Sequence, residues 1–279
     1  MKEIILETAR GTSFAAYENE MEAPKAAICI VHGVGEHFTR YQEMADHLGQ
    51  RGYSVYGLDL LGHGHSPGIR GSSGSKEDIG GLITTLLRHG RERTLGLPQF
   101  LFGHSMGGLL TLSYRHYFAD CGVTGFVACS PWLGLTHTYD ENDIEEFKRI
   151  VDMDHDAVHN TTISPKKLFT LEEGRKIEKD PTMHPYITYS NLLERLNDIE
   201  FAFQVAGEPR APLYIFLGED DPICSVENIR QFAQLEGKQC TLRVWPGMKH
   251  EPWNEPDRYH VVEELADWLD QTLAGRRGR

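Results

Sequence analysis

Short apolar runs set between helical stretches constrain this chain more than any other feature. Ala26–Val31, Tyr53–Leu58, Phe100–Phe102, Gly125–Cys129 and Leu213–Leu217 carry few polar residues. Such runs mark strands buried on both faces, since a strand with one wet face would alternate. Apolar residues recur at helical spacing over Arg40–Arg51, which Gly52 stops, and over Lys76–Leu87. The same spacing returns behind Leu109, over Val226–Leu235 and over Arg258–Leu273. Glu3–Glu7 and Thr12–Tyr17 read as two early strands, and Thr241–Trp245 as the last one. Strands alternating with helices predict an α/β fold, a mainly parallel sheet covered on both faces. In such sheets ligands bind outside the carboxyl ends of the strands, so the strand-end loops are where chemistry belongs.

The rhythm breaks from about Pro131 to Glu208. This stretch is charged, holds no convincing buried strand, and carries helical pieces at Ile144–Val151, Lys166–Lys179 and Tyr189–Phe203. An insertion of that length between core strands reads as a helical cap rather than a structureless loop. The expected organisation is a core made of 1–130 and 209–279, with a cap at 131–208. Phe147, Ile150, Val151, Leu168, Phe169 and Leu193 predict an apolar underside of the cap, turned toward a pocket.

Composition removes several functional classes. With a formal charge of −13, the chain lacks the basic surface a nucleic-acid partner would need. The basic cluster Gly275–Arg279 reads as a solvated chain end. No segment approaches the ~18 consecutive apolar residues of a membrane span, and the N-terminal apolar run is too short for a signal peptide. Cys29, Cys121, Cys129, Cys224 and Cys240 stand singly, without a CxxC pair, which fits reduced thiols in a cytoplasm.

Gly103-His-Ser-Met-Gly107 fits the pattern G-x-S-x-G, with a strand ending at Phe102 and a helix starting after Met106. A serine on so sharp a turn needs small neighbours, because side chains there would collide with the adjoining strand and helix. Its hydroxyl becomes a nucleophile only when a base takes the proton and an acid fixes the base. Downstream, Tyr214–Leu217 runs into Glu219, Asp220 and Asp221, and Trp245 leads to His250, both at expected carboxyl ends. Asp221 is the acid chosen, because it lies a few residues beyond the strand and precedes Pro222, which biases it to extended backbone. Backbone donors for a developing oxyanion are expected from Met106 and from Val34, within His32-Gly-Val-Gly-Glu-His37.

The chain resembles the monoacylglycerol lipase and lysophospholipase group of α/β-hydrolases, sometimes catalogued with serine aminopeptidases. The resemblance rests on His32–Tyr41, Asp59–Ser66, Gly103–Gly108, Gly218–Asp221 and His250–Glu255, in the family's order. It implies Ser105, Asp221 and His250 as a triad, Val34 and Met106 as oxyanion donors, and a helical cap over an acyl pocket. The expected chemistry is two-step acyl transfer on a carboxylic ester, with no metal or organic cofactor. The expected partner is a small acyl ester or monoacyl lipid, with transient membrane-surface contact through the cap and no nucleic acid. A peptidase on the same scaffold would anchor a peptide amine with cap acids, and Asp140–Glu146 supplies a cluster of them. A catalytically dead receptor would lack a triad member, and none is lacking.

Three other patterns have plainer readings. His155-Asp-Ala-Val-His159 resembles a zinc-binding helical turn with Asp for Glu, but no third ligand is evident and a polar cap face is expected. His63-Gly-His65 could grip a metal, but its place in the Asp59–Ser66 loop favours a hydrogen-bonding brace of the site wall; Arg40-Tyr41 could contact a substrate, and packing at a helix start is the expected role.

Overall fold

The computed structural model describes residues 1–118, 122–161, 163, 168–169 and 179–277. Its strands are β1 (Lys2–Glu7), β2 (Ser13–Asn19), β3 (Ala26–Val31), β4 (Tyr53–Leu58), β5 (Gln99–His104), β6 (Gly125–Cys129), β7 (Val158–Asn160), β8 (Tyr186–Thr188), β9 (Leu213–Gly218) and β10 (Cys240–Trp245). Its α-helices are α1 (Gln42–Gln50), α2 (Lys76–Arg93), α3 (Met106–Tyr117), α4 (Glu141–Met153), α5 (Tyr189–Gln204), α6 (Val226–Glu236) and α7 (Arg258–Arg277). Eight strands form one sheet in the order β1-β2-β4-β3-β5-β6-β9-β10. From β4 to β10 the pairs are parallel, while β1–β2 and β2–β4 are antiparallel.

The period-two alternation of the strands splits the core in two. On β3, Ala27, Cys29 and Val31 face a cluster with Ile79 and Leu82 of α2, Leu109 and Leu112 of α3 and Phe232 of α6. Ala26, Ile28 and Ile30 face the opposite side, with Met44 and Leu48 of α1 and Val261 and Leu265 of α7. Both faces are apolar because both are covered, which is why the strands read as unbroken apolar runs. Each large aliphatic or aromatic side chain buried this way contributes about 1.5–3 kcal/mol.

Helix ends follow local chemistry. Ser75 caps α2 in a reciprocal capping box with Asp78, and Asp140 caps α4 in the same way with Asp143. Helix α2 runs to Arg93 rather than stopping at Leu87, because its last turn carries arginines on a solvated face and gives no apolar signal. Helix α7 continues to Arg277; residues 278–279 of the basic end lie outside the described part. Cys29, Cys129, Cys224 and Cys240 are free thiols, and Cys121 lies outside the described residues.

The chain leaves the sheet after β6 and returns at β9. Between them lie α4, α5 and a two-stranded antiparallel pair, β7–β8. The sequence reading of a wholly helical insertion misses this pair. Each strand has three residues, too few for a periodic signal. The expected helix Lys166–Lys179 falls largely outside the described residues. No described helix is long and apolar enough to cross a membrane.

One ion pair inside the core anchors the insertion's return to the sheet. Arg115 of α3 donates to Glu236 of α6 at 3.0 Å, with both side chains fully buried, and its Nε donates to the Ala211 carbonyl ahead of β9. Arg115→Met takes the guanidinium from the buried Glu236 carboxylate and leaves it Gln239 Nε2 at 2.8 Å and the His116 ring at 3.8 Å, so the loss should lie at the lower end of the about 3–5 kcal/mol of a broken buried pair. A urea titration should show this loss, and the double change Arg115→Met with Glu236→Leu should recover much of it.

Candidate active site

β5 ends at His104 and α3 begins at Met106, so Ser105 alone turns the chain from strand into helix. Its backbone sits at φ 54° and ψ −117°, a strained conformation for a residue with a side chain. The strain is held by hydrogen bonds at both ends of the residue. Its amide donates to the Cys129 carbonyl at 3.0 Å, and its carbonyl accepts from Leu109 at 3.1 Å and Trp132 at 3.0 Å. The flanking glycines are a steric requirement. A Cβ on Gly103 would stand 2.0 Å from the Gly107 carbonyl oxygen, and one on Gly107 would stand 2.2 Å from that of Val31. The outcome is a serine placed at a cavity of about 580 Å³, within the size range of small-molecule sites.

Asp221 lies in the loop after β9 and His250 in the loop after β10. His250 Nδ1 donates to Asp221 Oδ2 at 2.7 Å, and both residues are buried. The other carboxylate oxygen accepts from the amides of Ile223 at 2.8 Å and Cys224 at 3.0 Å. The acid is therefore fixed before the histidine docks on it. Burial opposes charge on both groups and is outweighed on both. The His250 interaction and the two amides hold the Asp221 carboxyl below its ordinary range, and Asp221 raises the His250 imidazole above its own. Glu219 and Asp220 are exposed.

Asp221, Cys224 and His250 present donor atoms within 4.8 Å of one another. The Asp–His spacing of 2.7 Å is that of one shared proton. Two ligands about 2.0 Å from a tetrahedral zinc would stand about 3.3 Å apart. Burial pushes the Cys224 thiol well above the usual cysteine range, and the Ser105 hydroxyl is its hydrogen-bonding neighbour.

Val34 follows β3 and lines the cavity. A Cβ on Gly33 would come within 3.0 Å of the Ser105 Cβ, so the Gly33–Val34 segment runs directly against the serine. The Met106 amide opens α3, where the first amides have no intrahelical acceptor. Trp132, Leu135, Ile163, Leu168, Ile187 and Ile223 supply the apolar walls. Of the six residues expected beneath the cap, Leu168 lines the cavity. Phe147 packs behind the wall against Tyr139 and Tyr189, each with ring centroids at 5.1 Å. Helix α5 turns Leu192 rather than Leu193 inward, because successive helical residues point about 100° apart.

His155 and His159 do not share a helical turn. Extended backbone at Asp154 ends α4, His155 is exposed, and His159 lies in β7 facing the cavity. The acids Asp140–Glu146 begin α4 and stand outside the cavity lining; among the described residues of the insertion, the acid at the cavity is Asp180, held by His37 Nε2 at 3.0 Å. His63 is buried, with Nδ1 donating to the Leu61 carbonyl at 2.8 Å, and the His65 amide donates to Asp59 Oδ2 at 2.9 Å. Tyr41 stacks on Trp253 with centroids 4.4 Å apart. Arg40, read as helix-start packing, instead pairs with Glu36 and Glu251 beside the site. A buried guanidinium needs acids, and its partners lie four and 211 residues away. The sequence signal was present only as an acid directly after the loop histidine.

The family model described as serine aminopeptidase, S33, matches residues 22–257. The chain belongs to this family of α/β hydrolases. The monoglyceride lipase of Rattus norvegicus is 36% identical over 273 residues, covering 94% of this chain and 88% of the relative. Phospholipase YtpA of Bacillus subtilis is 28% identical over 265 residues, covering 90% and 98%. The crystal structure of Paleococcus ferrophilus monoacylglycerol lipase superposes with a TM-score of 0.83 at 27% identity, covering 92% of this chain and 99% of that one.

If His250 serves as the base, it is competent only when neutral, and Asp221 raises its pKa against the opposing effect of burial. The acid limb of kcat/KM should therefore fall above the ordinary histidine value of ~6.5. A pH–rate profile from about pH 5 to 9 checks this, and a limb below the ordinary value would contradict the arrangement.

Proposed function

We propose that the chain is a serine carboxylic ester hydrolase acting on monoacyl lipids, either monoacylglycerol or lysophospholipid, and that 131–208 is a cap over its acyl pocket. The observation that carries this reading is the strained Ser105 elbow and His250 lining one largely apolar cavity, with His250 held to Asp221 at 2.7 Å. Ser105 attacks the ester carbonyl while His250 takes its proton, and the amides of Val34 and Met106 receive the oxyanion. His250 then protonates the departing alcohol, leaving an acyl-enzyme. A water, deprotonated by His250, attacks this acyl group and releases the fatty acid, and the proton returns to Ser105. Asp221 keeps the imidazole in one tautomer throughout.

The walls favour an acyl chain over a peptide. Recognition of a peptide amine would call for an unpaired acid, and among the described residues lining the cavity Glu36 and Glu251 are paired with Arg40, and Asp180 with His37. The relatives named monoglyceride lipase and phospholipase agree with this lipid reading.

Ser105→Ala should abolish ester turnover and fluorophosphonate labelling. Asp221→Asn should lower kcat by roughly 10⁴-fold, as when a triad acid loses its charge, while Asp220→Asn stays near wild type. A deep loss in Asp220→Asn with Asp221→Asn nearly active would reassign the acid. On a panel of p-nitrophenyl acetate, monoacylglycerol, lysophosphatidylcholine and aminoacyl anilides, the monoacyl lipids should give the highest kcat/KM. Leu135→Trp, which narrows the cavity, should reduce long-chain turnover far more than that of p-nitrophenyl acetate. Preference for the anilides would overturn the lipid reading.

A further inference from the structure

The loop bearing Val34 and the loop bearing His250 come from strands that are not neighbours: in the sheet β3 and β10 are separated by β5, β6 and β9. One side chain spans them. Arg40 Nη1 donates to Glu36 Oε2 at 2.5 Å, and Nη2 donates to both oxygens of Glu251, at 2.9 and 2.7 Å. Glu36 uses its other oxygen on three groups: the Gly33 amide at 2.6 Å, His104 Nδ1 at 2.7 Å and the Tyr41 hydroxyl at 3.2 Å. Gly33 immediately precedes Val34, His104 immediately precedes Ser105, and Glu251 immediately follows His250. The chain of bonds thus reaches a neighbour of each reacting group. The Arg40, Glu36 and Glu251 side chains are 6%, 4% and 1% exposed, and all three residues line the cavity.

We propose that Arg40 is a positioning residue: through Glu36 and Glu251 it sets the register between the oxyanion loop and the base loop. Its planar fork serves two carboxylates at once, a geometry that a lysine ammonium does not reproduce. Trp253 fixes the fork from one side, with the guanidinium 5.6 Å from its ring centroid and Tyr41 stacked on the same indole. The bonds also shape the field at His250. Facing that imidazole are Asp221 and the Cys224 thiol from the β9 loop, Glu251 on its own loop, Glu36 and Arg40 from the β3 side, and His104 at the end of β5, its ring centroid 4.8 Å away. Glu251 and Glu36 favour a protonated His250, and both of these carboxylates are paired with Arg40.

This inference rests on the Ser105–His250–Asp221 reading, and Ser105→Ala run alongside reports on that reading separately. Arg40→Met should lower kcat by about 10²-fold, the scale of a misplacement near 1 Å, with KM little changed. It should also move the acid limb of kcat/KM to higher pH, because two carboxylates lose their counter-charge. Glu251→Gln should move the limb to lower pH and lower kcat. Arg40→Lys keeps the charge, so its limb should stay at the wild-type position while kcat remains depressed. Full kcat in Arg40→Met would overturn the proposal. So would a loss carried by KM with an unmoved limb, the result expected if Arg40 contacted substrate instead. Where Arg40→Met fails to fold, Arg40→Lys and Glu251→Gln decide: wild-type kcat in both would overturn it.

Discussion

Helix α3 starts with no side chain between its first turn and the backbones beneath it. That contact is possible only with glycine at 103 and 107, where any Cβ would overlap a carbonyl oxygen. The approach forces the chain to reverse within one residue, and Ser105 takes the strain. Backbone energy of order 1–3 kcal/mol is held there by bonds to Cys129, Leu109 and Trp132. The rest of the site is arranged around this fixed point. Strands β9 and β10 bring their loops to the same edge, and the segment after β3 passes against the serine. Loosening the elbow would leave the acid and base aligned with each other and without a target.

The site keeps its charges in closed accounts while leaving its walls apolar. Burial works against every ion in it, yet Glu36 is held well below the carboxylate range despite that burial, by His104 and by Arg40. Asp221 is held down by His250 and two amides. With these groups satisfied inside the protein, little polar demand is left for a ligand at the reacting edge. Trp132, Leu135 and Ile223 present apolar surface to the cavity, beside polar groups such as Thr136, His159 and His184.

Much of this was legible in the residues. Strands covered on both faces announce themselves as apolar runs, and the order of serine, acid and histidine placed each group on a strand end. Asp221, preferred to its two neighbours for its reach to the next loop, the constraint of Pro222 and the family's spacing after Gly218, is the acid that the fold pairs with His250. What stayed hidden depends on distance along the chain or on length. Arg40 and Glu251 meet across 211 residues, and no local pattern pairs them. β7 and β8 are too short to show a period. The choice of Leu192 over Leu193 as the inward residue of α5 depends on the helix's rotation, which apolar neighbours in sequence do not report.

The insertion is fastened to the parts it covers. The His184 amide donates to the Gly35 carbonyl at 3.0 Å, Asp180 accepts from His37, and the Glu251 amide donates to the Leu168 carbonyl at 2.9 Å. Two of these bonds end on the loop that carries Val34, and the third ends on the residue after His250. Displacing the insertion would break bonds that also hold those two loops. The insertion and the loops beside Ser105 are therefore mechanically tied, so that a strain placed on one is carried into the other.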